Sequence, residues 1–196
     1  MKKYSVIALI VIILALAYSG CMEAEGPAIK AAQLTDSEKE LLSSVGVERY
    51  FVFDIDVAQI DFEKLEYRVD HYEKGELVGI ISHGAVSGIL SEEQKQRLIW
   101  SQIETGNEPE ETWIISFAGA RSTQRVVRDE VYSAMSWGQN EEVNSVNPGE
   151  EVMLAAIVAT KDGSLLSPGA IFYSEKGDTD LLKDYDLAYV LSVVFQ

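Results

Sequence analysis

The stretch ERYFVFDIDVA, residues 48–58, has the clearest strand pattern in the chain. Its side chains alternate between two faces, one wholly apolar and the other ending in two aspartates. The first face carries Phe51, Phe53, Ile55 and Val57, and the second face carries Tyr50, Val52, Asp54 and Asp56. Such alternation is typical of a strand with one face in a core and the other in water, which favours an antiparallel sheet.

Two hairpins are predicted after this strand. Residues 64–82, KLEYRVDHYEKGELVGIIS, alternate around Lys74-Gly75, and glycine readily adopts the positive φ that a tight turn needs. Residues 104–111, ETGNEPEE, form an acidic loop between the apolar runs 97–103 and 112–120. Two such runs around a turn-rich loop predict a second hairpin.

For two segments the sequence pattern fits both a helix and a strand. A capping-box sequence at Ser91 would start a helix within 91–103, whereas a strand over 97–103 fits the second hairpin better. Apolar residues in 122–137 fall at spacings that suit either a helix or strands. Residues 139–149 are predicted to form a loop.

The remaining pattern predicts the fold class. Strands are expected at 151–160, 170–174 and 187–195, and one short helix at 34–46, capped by Thr35 or Asp36. At least seven β runs separated by turn signals predict a mainly β fold. We therefore expect an antiparallel β-sandwich, immunoglobulin-like in general architecture, with a short N-terminal helix.

The first 21 residues, MKKYSVIALIVIILALAYSGC, have the pattern of an export signal. Lys2 and Lys3 give a positive start, and 6–17 is an unbroken apolar run, shorter than the roughly 20 residues of a membrane-spanning helix. Small residues then precede Cys21. An uncleaved signal-anchor and simple secretion are the alternative interpretations.

Ser19, Gly20 and Cys21 resemble the box of prokaryotic lipoproteins, although Tyr18 stands where an aliphatic residue is usual. The resemblance implies cleavage before Cys21 and a diacylglycerol on its sulfur, since a thiolate is the available nucleophile. It predicts a signal peptide over 1–20, a flexible tether over 21–33 and a single β-sandwich domain over 34–196. The protein would then be held on the extracytoplasmic face of the cell membrane by its lipid.

Charge and cysteine content exclude several functions. The chain has 196 residues, a formal charge of −16 and one cysteine. Loss of the two lysines of the signal makes the mature charge −18, which repels phosphate backbones, so nucleic acid is not an expected partner. With Cys21 lipidated, no thiol remains for a disulfide or a cysteine nucleophile.

Weak motifs of the mature part resemble those of small uncharacterised β-sandwich lipoproteins. These motifs are Tyr72, Gly75, Leu77 and Val78 of the first hairpin, and Pro148, Gly149, Glu150 and Glu151 before a core strand. The resemblance implies the same fold and attachment, and it implies no activity.

Residues 53–57, FDIDV, resemble the DxDx(T/V) signature of haloacid-dehalogenase-type phosphatases. The resemblance implies a magnesium-dependent enzyme with Asp54 as the nucleophile and Asp56 as the acid/base. Ala58 departs from the signature, and no βαβ alternation predicts the doubly wound sheet of that family. The simpler interpretation is two carboxylates on the wet face of a strand.

Other candidate sites are also weak. Asp178, Asp180, Asp184 and Asp186 could gather calcium, but their spacing is not that of an EF-hand. His71 and His83 are the only histidines, and two ligands do not make a zinc site. Of the three tryptophans, Trp137 is expected to be exposed, and Trp100 and Trp113 are expected to be buried.

The sequence therefore predicts a lipid-anchored, non-catalytic module for surface interaction or an accessory role. The membrane is its expected partner through the lipid on Cys21, and a protein at the cell surface is a candidate partner. No cofactor is expected. The phosphatase and a small solute-binding lipoprotein are the alternatives.

Overall fold

The computed structural model describes residues 28–56, 63–87, 96–104, 110–127, 131–143, 145–164, 167–169, 172 and 179–196. The described residues include two antiparallel sheets, an α-helix over 36–44 and a 3₁₀ helix over 179–184. Within these ranges no helix has the length and apolar character needed to cross a membrane. The leader and Cys21 lie outside the described residues.

The first sheet has six strands. They are β1 (Ile29–Ala31), β2 (Val47–Ile55), β5 (Gln96–Glu104), β6 (Glu110–Phe117), β7 (Ala120–Val127) and β9 (Glu142–Val143). Their order across the sheet is β7-β6-β5-β2-β1-β9. The predicted strand at 48–58 is the central β2, and the predicted second hairpin is β5–β6.

The second sheet has five strands. They are β3 (Lys64–Glu73), β4 (Glu76–Ser87), β8 (Ala134–Gln139), β10 (Glu151–Thr160) and β11 (Leu187–Phe195). Their order is β4-β3-β11-β10-β8. Two packed antiparallel sheets confirm the predicted β-sandwich, and the two contested segments contain strands: β5 in 91–103, and β7 and β8 in 122–137.

The core lies between the sheets and is rich in aromatic side chains. From the first sheet it takes the inward parity of β2, β5 and β6, including Phe53, Trp100 and Trp113, all at most 2% exposed. From the second sheet it takes Tyr189 and Phe195 of β11. Aromatic residues bury a large area each, so these side chains supply much of the hydrophobic stabilisation.

The strand β11 is buried on both faces, which explains its continuous apolar sequence. Its second face packs under the 3₁₀ helix Thr179–Asp184, where Leu182 and Tyr185 cover Ala188 and Val190. A strand covered on both sides needs no polar parity, unlike β2.

The helix α1 (Asp36–Ser44) begins with a capping box at Thr35. The Thr35 hydroxyl accepts from the Glu38 N–H, and the Glu38 carboxylate accepts from the Thr35 N–H at 2.7 Å. These bonds with Thr35, together with Arg97, lower the pKa of Glu38 to about 2. Arg97 also pairs with Asp54 at 2.9 Å, so it links α1 to the outer face of β2.

Two predicted boundaries are wrong, and one predicted strand is contradicted at its single described residue. The predicted tether 21–33 is too long, because Ile29 and Ala31 are buried in the core as strand β1. The predicted loop 139–149 contains β9, which pairs with β1. Of the strand predicted over 170–174 only Phe172 is described, and it is helical.

Two glycines of β4 should respond differently to alanine. A Cβ on Gly84 would lie 2.3 Å from the ring of Tyr67, its cross-strand partner, whereas a Cβ on Gly79 would meet nothing within 4 Å. We predict that Gly84→Ala lowers the free energy of unfolding by roughly 1–3 kcal/mol, the usual cost of overpacking. Urea denaturation measures this. Equal effects of Gly84→Ala and Gly79→Ala would contradict the steric explanation.

Candidate functional site

A cleft opens at the side of the sandwich because β1 is much shorter than β2. The strand β1 pairs with β2 only from Phe53 to Ile55, and the Ala32 N–H adds one bond to the Val52 carbonyl. Beyond Ala32 the chain leaves the sheet for α1. The part of β2 from Val47 to Phe51 therefore has β5 on one side and, among the described residues, no strand on the other.

We call this opening the side cleft. It encloses about 610 Å³ between β2, the edge strand β8 and the segment 167–169. Its lining consists of Ala32, Leu34, Glu48, Arg49, Tyr50, Phe51, Val52, Trp137, Gly138, Gln139, Glu141, Ser167 and Gly169. A volume in this range is typical of small-molecule or short-peptide sites.

Arg49 and Trp137 face each other across the side cleft. The guanidinium of Arg49 lies over the Trp137 ring, 4.9 Å from its centroid, and Trp137 remains 51% exposed. Arg49 Nη1 also donates to Gln102 Oε1 at 2.7 Å. The stacking and the hydrogen bond fix the guanidinium, while the tryptophan offers a flat apolar surface for contact.

The position of Arg49 follows from strand alternation. Arg49 shares its parity with Phe51, Phe53 and Ile55, whose side chains point into the core. A bulge in the pairing with β5 lies between Val47 and Arg49, at the end of the strand. Arg49 therefore enters the sandwich from its open end, where the guanidinium reaches both solvent and Gln102.

A layer of polar side chains extends from Arg49 into the sandwich. Gln102 is 1% exposed and Glu111 is 2% exposed, and Trp113 Nε1 donates to Glu111 Oε2 at 2.9 Å. Two buried donors, Gln102 Nε2 and Trp100 Nε1, have no acceptor among the described residues. Such buried polar groups cost free energy, so their presence at one end of the core marks an unusual place in the fold.

An aromatic row runs beside this polar layer. The ring centroids are 5.0 Å apart for Phe51 and Trp100, 5.3 Å for Trp100 and Trp113, and 4.4 Å for Trp113 and Tyr189. His71 lies at 5.0 Å from Tyr189, and burial lowers the pKa of His71. The row connects the two sheets and gives the cleft a rigid floor at Phe51.

The predicted phosphatase residues do not form a common site. Asp54 lies on the outer face of β2 and pairs with Arg97, its cross-strand partner. Asp56 follows the end of β2, where its N–H donates to the Ala28 carbonyl. The sheets are antiparallel, so Asp54 does not stand at the end of a parallel strand as in the doubly wound phosphatases.

The other predicted ligands are also apart. Asp180 accepts from Lys183, Asp186 accepts from the Lys161 N–H, and Asp178 lies outside the described residues. His71 points into the core, whereas His83 is on the outer face beside Glu66. Among the described residues no cluster of three or more His, Cys, Asp or Glu is arranged to bind a metal.

The tryptophan predictions are confirmed, because Trp100 and Trp113 are 1% and 2% exposed and Trp137 is half exposed. Arg49 and Gln102 were not among the residues predicted from the sequence. The sequence pattern did contain a signal for them. Each is a polar residue on the face of its strand that otherwise carries apolar side chains, and the two strands, β2 and β5, are neighbours.

A second polar cluster lies on the outer face of β3. The Asp70 side chain is 2% exposed, and its Oδ2 is 2.8 Å from Arg68 Nε. Arg68 in turn pairs with Glu151 at 2.8 Å, and Tyr72 also hydrogen-bonds to Asp70. Burial raises the pKa of Asp70, and Arg68 opposes this only in part. Because Arg68 of β3 pairs with Glu151 of β10 across the intervening strand β11, we assign this cluster to the fold.

The geometry defines a two-sheet antiparallel β-sandwich with a polar cleft at its open side. Residues 28–195 match the family model described as the YgaN domain, which spans most of the chain. The chain belongs to the YgaN-domain family. No curated protein and no solved structure matches it.

The raised pKa of Asp70 predicts how stability changes with pH. Because the folded state holds the Asp70 proton more tightly than the unfolded state, this group stabilises the fold at low pH. The contribution is lost as the pH rises through the folded-state pKa. We predict that Asp70→Asn removes this loss, so that the variant gains stability relative to the wild type between acidic and neutral pH.

Urea denaturation from pH 4 to pH 8 tests this expectation. Glu76→Gln, which changes an exposed carboxylate near the same hairpin, serves as the control. Parallel stability profiles of Asp70→Asn and the wild type would show that Asp70 does not titrate differently in the two states.

Proposed function

We propose that this protein is a lipid-anchored extracytoplasmic module that binds a partner in the side cleft and catalyses no reaction. The observation that carries the binding role is the half-exposed Trp137 stacked under Arg49 inside a cleft of about 610 Å³. The anchoring role is supported by the leader and by Cys21 at its end.

The chemistry of the side cleft favours binding over catalysis. Its lining offers a guanidinium, an indole ring, the carboxylates of Glu48 and Glu141 and a few uncharged polar side chains, which together recognise shape, charge and hydrogen-bonding groups. General acid–base or nucleophilic work needs a nucleophile beside a base. The side chains lining the cleft supply hydroxyls from Ser167 and Tyr50 and carboxylates from Glu48 and Glu141, but no histidine or cysteine.

The alternative functions have less support. The phosphatase would need Asp54 free to attack phosphorus, and Asp54 is held by Arg97. A solute-binding lipoprotein commonly encloses its ligand between two lobes, whereas the described strands form one sandwich and the side cleft lies at its side. Partner binding therefore fits the exposed side cleft better.

Lipid attachment predicts a defined chemical form of the mature protein. In a prokaryotic host that processes lipoproteins, we expect the wild type to begin at Cys21, to carry acyl chains and to partition into a detergent phase. Two acyl chains are needed for stable anchoring, at about 0.8 kcal/mol per buried CH₂. Cys21→Ser should remain an unprocessed precursor without lipid, and Ser19→Ala, which keeps a small residue, should mature normally. Mass spectrometry of the N-terminal peptide distinguishes these forms.

Partner binding in the side cleft predicts position-specific crosslinking. A photoreactive phenylalanine analogue at position 137 of the full-length chain should form adducts in cells of the source organism. The same analogue at position 127, on the edge strand β7, is the control, because Val127 is exposed to a similar extent, 56%. Equal adduct patterns at the two positions, or none at either, would contradict the proposed binding site.

A further inference from the structure

We infer that the side cleft binds an extended polypeptide segment, which adds to β2 as a strand and presents basic side chains to its outer rim. This inference rests on the binding function proposed above and names the class of partner. It follows from the backbone geometry of β2, the size of the cleft and the charge around it.

The backbone of β2 directs hydrogen-bonding groups into the cleft. The Ala32 N–H donates to the Val52 carbonyl at 2.7 Å, and the Asp56 N–H donates to the Ala28 carbonyl at 2.8 Å. Even-numbered residues of β2 therefore point their N–H and C=O groups toward the β1 side, since these directions alternate in an antiparallel strand. Tyr50 shares this parity, so its backbone groups face the side cleft, where β1 no longer runs.

The open edge has the length of a short added strand. Val47 to Phe51 span five residues, or roughly 16 Å at about 3.3 Å per residue. The cleft volume of about 610 Å³ suits a segment of a few residues. Proteins that bind peptides by strand addition use such an exposed edge, with main-chain bonds for affinity and side-chain contacts for specificity.

Side chains of an added strand would meet two different surfaces. On its inward face, alternate residues would reach Trp137 and Arg49, which favours apolar or aromatic side chains. On its outward face, the others would lie near Glu48 and Glu141, the exposed carboxylates of the rim. Together with a chain charge of −16, this favours basic outward residues.

A second copy of this chain fits the edge less well. Pairing of β2 with β2 of another copy would bring the rim carboxylates and the net negative charge of both chains together. Like charges at close range disfavour such an association. We therefore expect a different, basic polypeptide.

A peptide library tests this inference directly. A pool of random heptapeptides is captured on the full-length chain in detergent micelles, and bound sequences are identified by mass spectrometry. We expect enrichment of sequences that alternate apolar and basic residues. One enriched peptide is then made in two forms, N-methylated at odd or at even positions. Only the form whose methyl groups replace the N–H groups that face β2 should fail to bind.

Variants of Tyr50 distinguish the contribution of its backbone N–H to binding from that of its side chain. Tyr50→Pro removes the N–H that faces the cleft without touching the bonds to β5, and proline is tolerated at such an edge. We expect it to weaken binding of the enriched peptide at least tenfold, whereas Tyr50→Ala keeps most of the affinity. Circular dichroism confirms that each variant is folded. Glu48→Lys provides a second test on an intact backbone: it should weaken binding, and the loss should shrink at high salt.

The outcomes distinguish this inference from the proposed function. No enrichment, or equal losses in Tyr50→Ala and Tyr50→Pro, would overturn strand addition. Crosslinking at position 137 to a glycan or a lipid, without peptide binding, would overturn it while leaving the cleft as a binding site. Absence of any specific crosslink at position 137 would remove the proposed function itself.

Discussion

The early end of β1 is the constraint on which the side cleft depends. A capping box at Thr35 fixes the start of α1 only three residues after Ala32, so the chain must leave the sheet there. An N-cap of this kind stabilises a helix by about 1 kcal/mol, and Arg97 ties the cap to β2. The chain therefore turns into the helix instead of continuing β1, and among the described residues no strand pairs with the rest of β2 on that side.

The open side is compatible with a stable fold because its polar groups are organised. An exposed strand edge invites aggregation, and proteins limit this by short edges, bulges and charge. Here the edge is five residues long, carries a bulge between Val47 and Arg49, and lies recessed beside β8 with Glu48 at the rim. The buried amide of Gln102 orients Arg49. The polar layer that includes Gln102 therefore costs the core some stability and also shapes the cleft.

The sequence predicted the strands better than it predicted the site, for a physical reason. Alternation reports which face of a strand is buried, so β2, the β3–β4 hairpin, β10 and β11 could all be located from it. It does not report which strands become neighbours across the sandwich. Arg49 and Trp137 are 88 positions apart and belong to different sheets, so only the topology brings them together. The Asp54–Asp56 pair attracted attention as a motif, although its first member is explained by Arg97 on the adjacent strand.

The direction of β2 relates the cleft to the anchor in the protein that we propose. Ala28, the first described residue after the predicted leader, lies beside Asp56, at one end of β2. Tyr50 lies six residues away toward the other end, which is roughly 20 Å along an extended strand. A lipid on Cys21 would therefore tether the sandwich from the end of β2 remote from the cleft. Because the seven Cα–Cα steps from Cys21 to Ala28 can span at most about 25 Å, the domain would stay near the membrane with its cleft displaced along β2 from the attachment point.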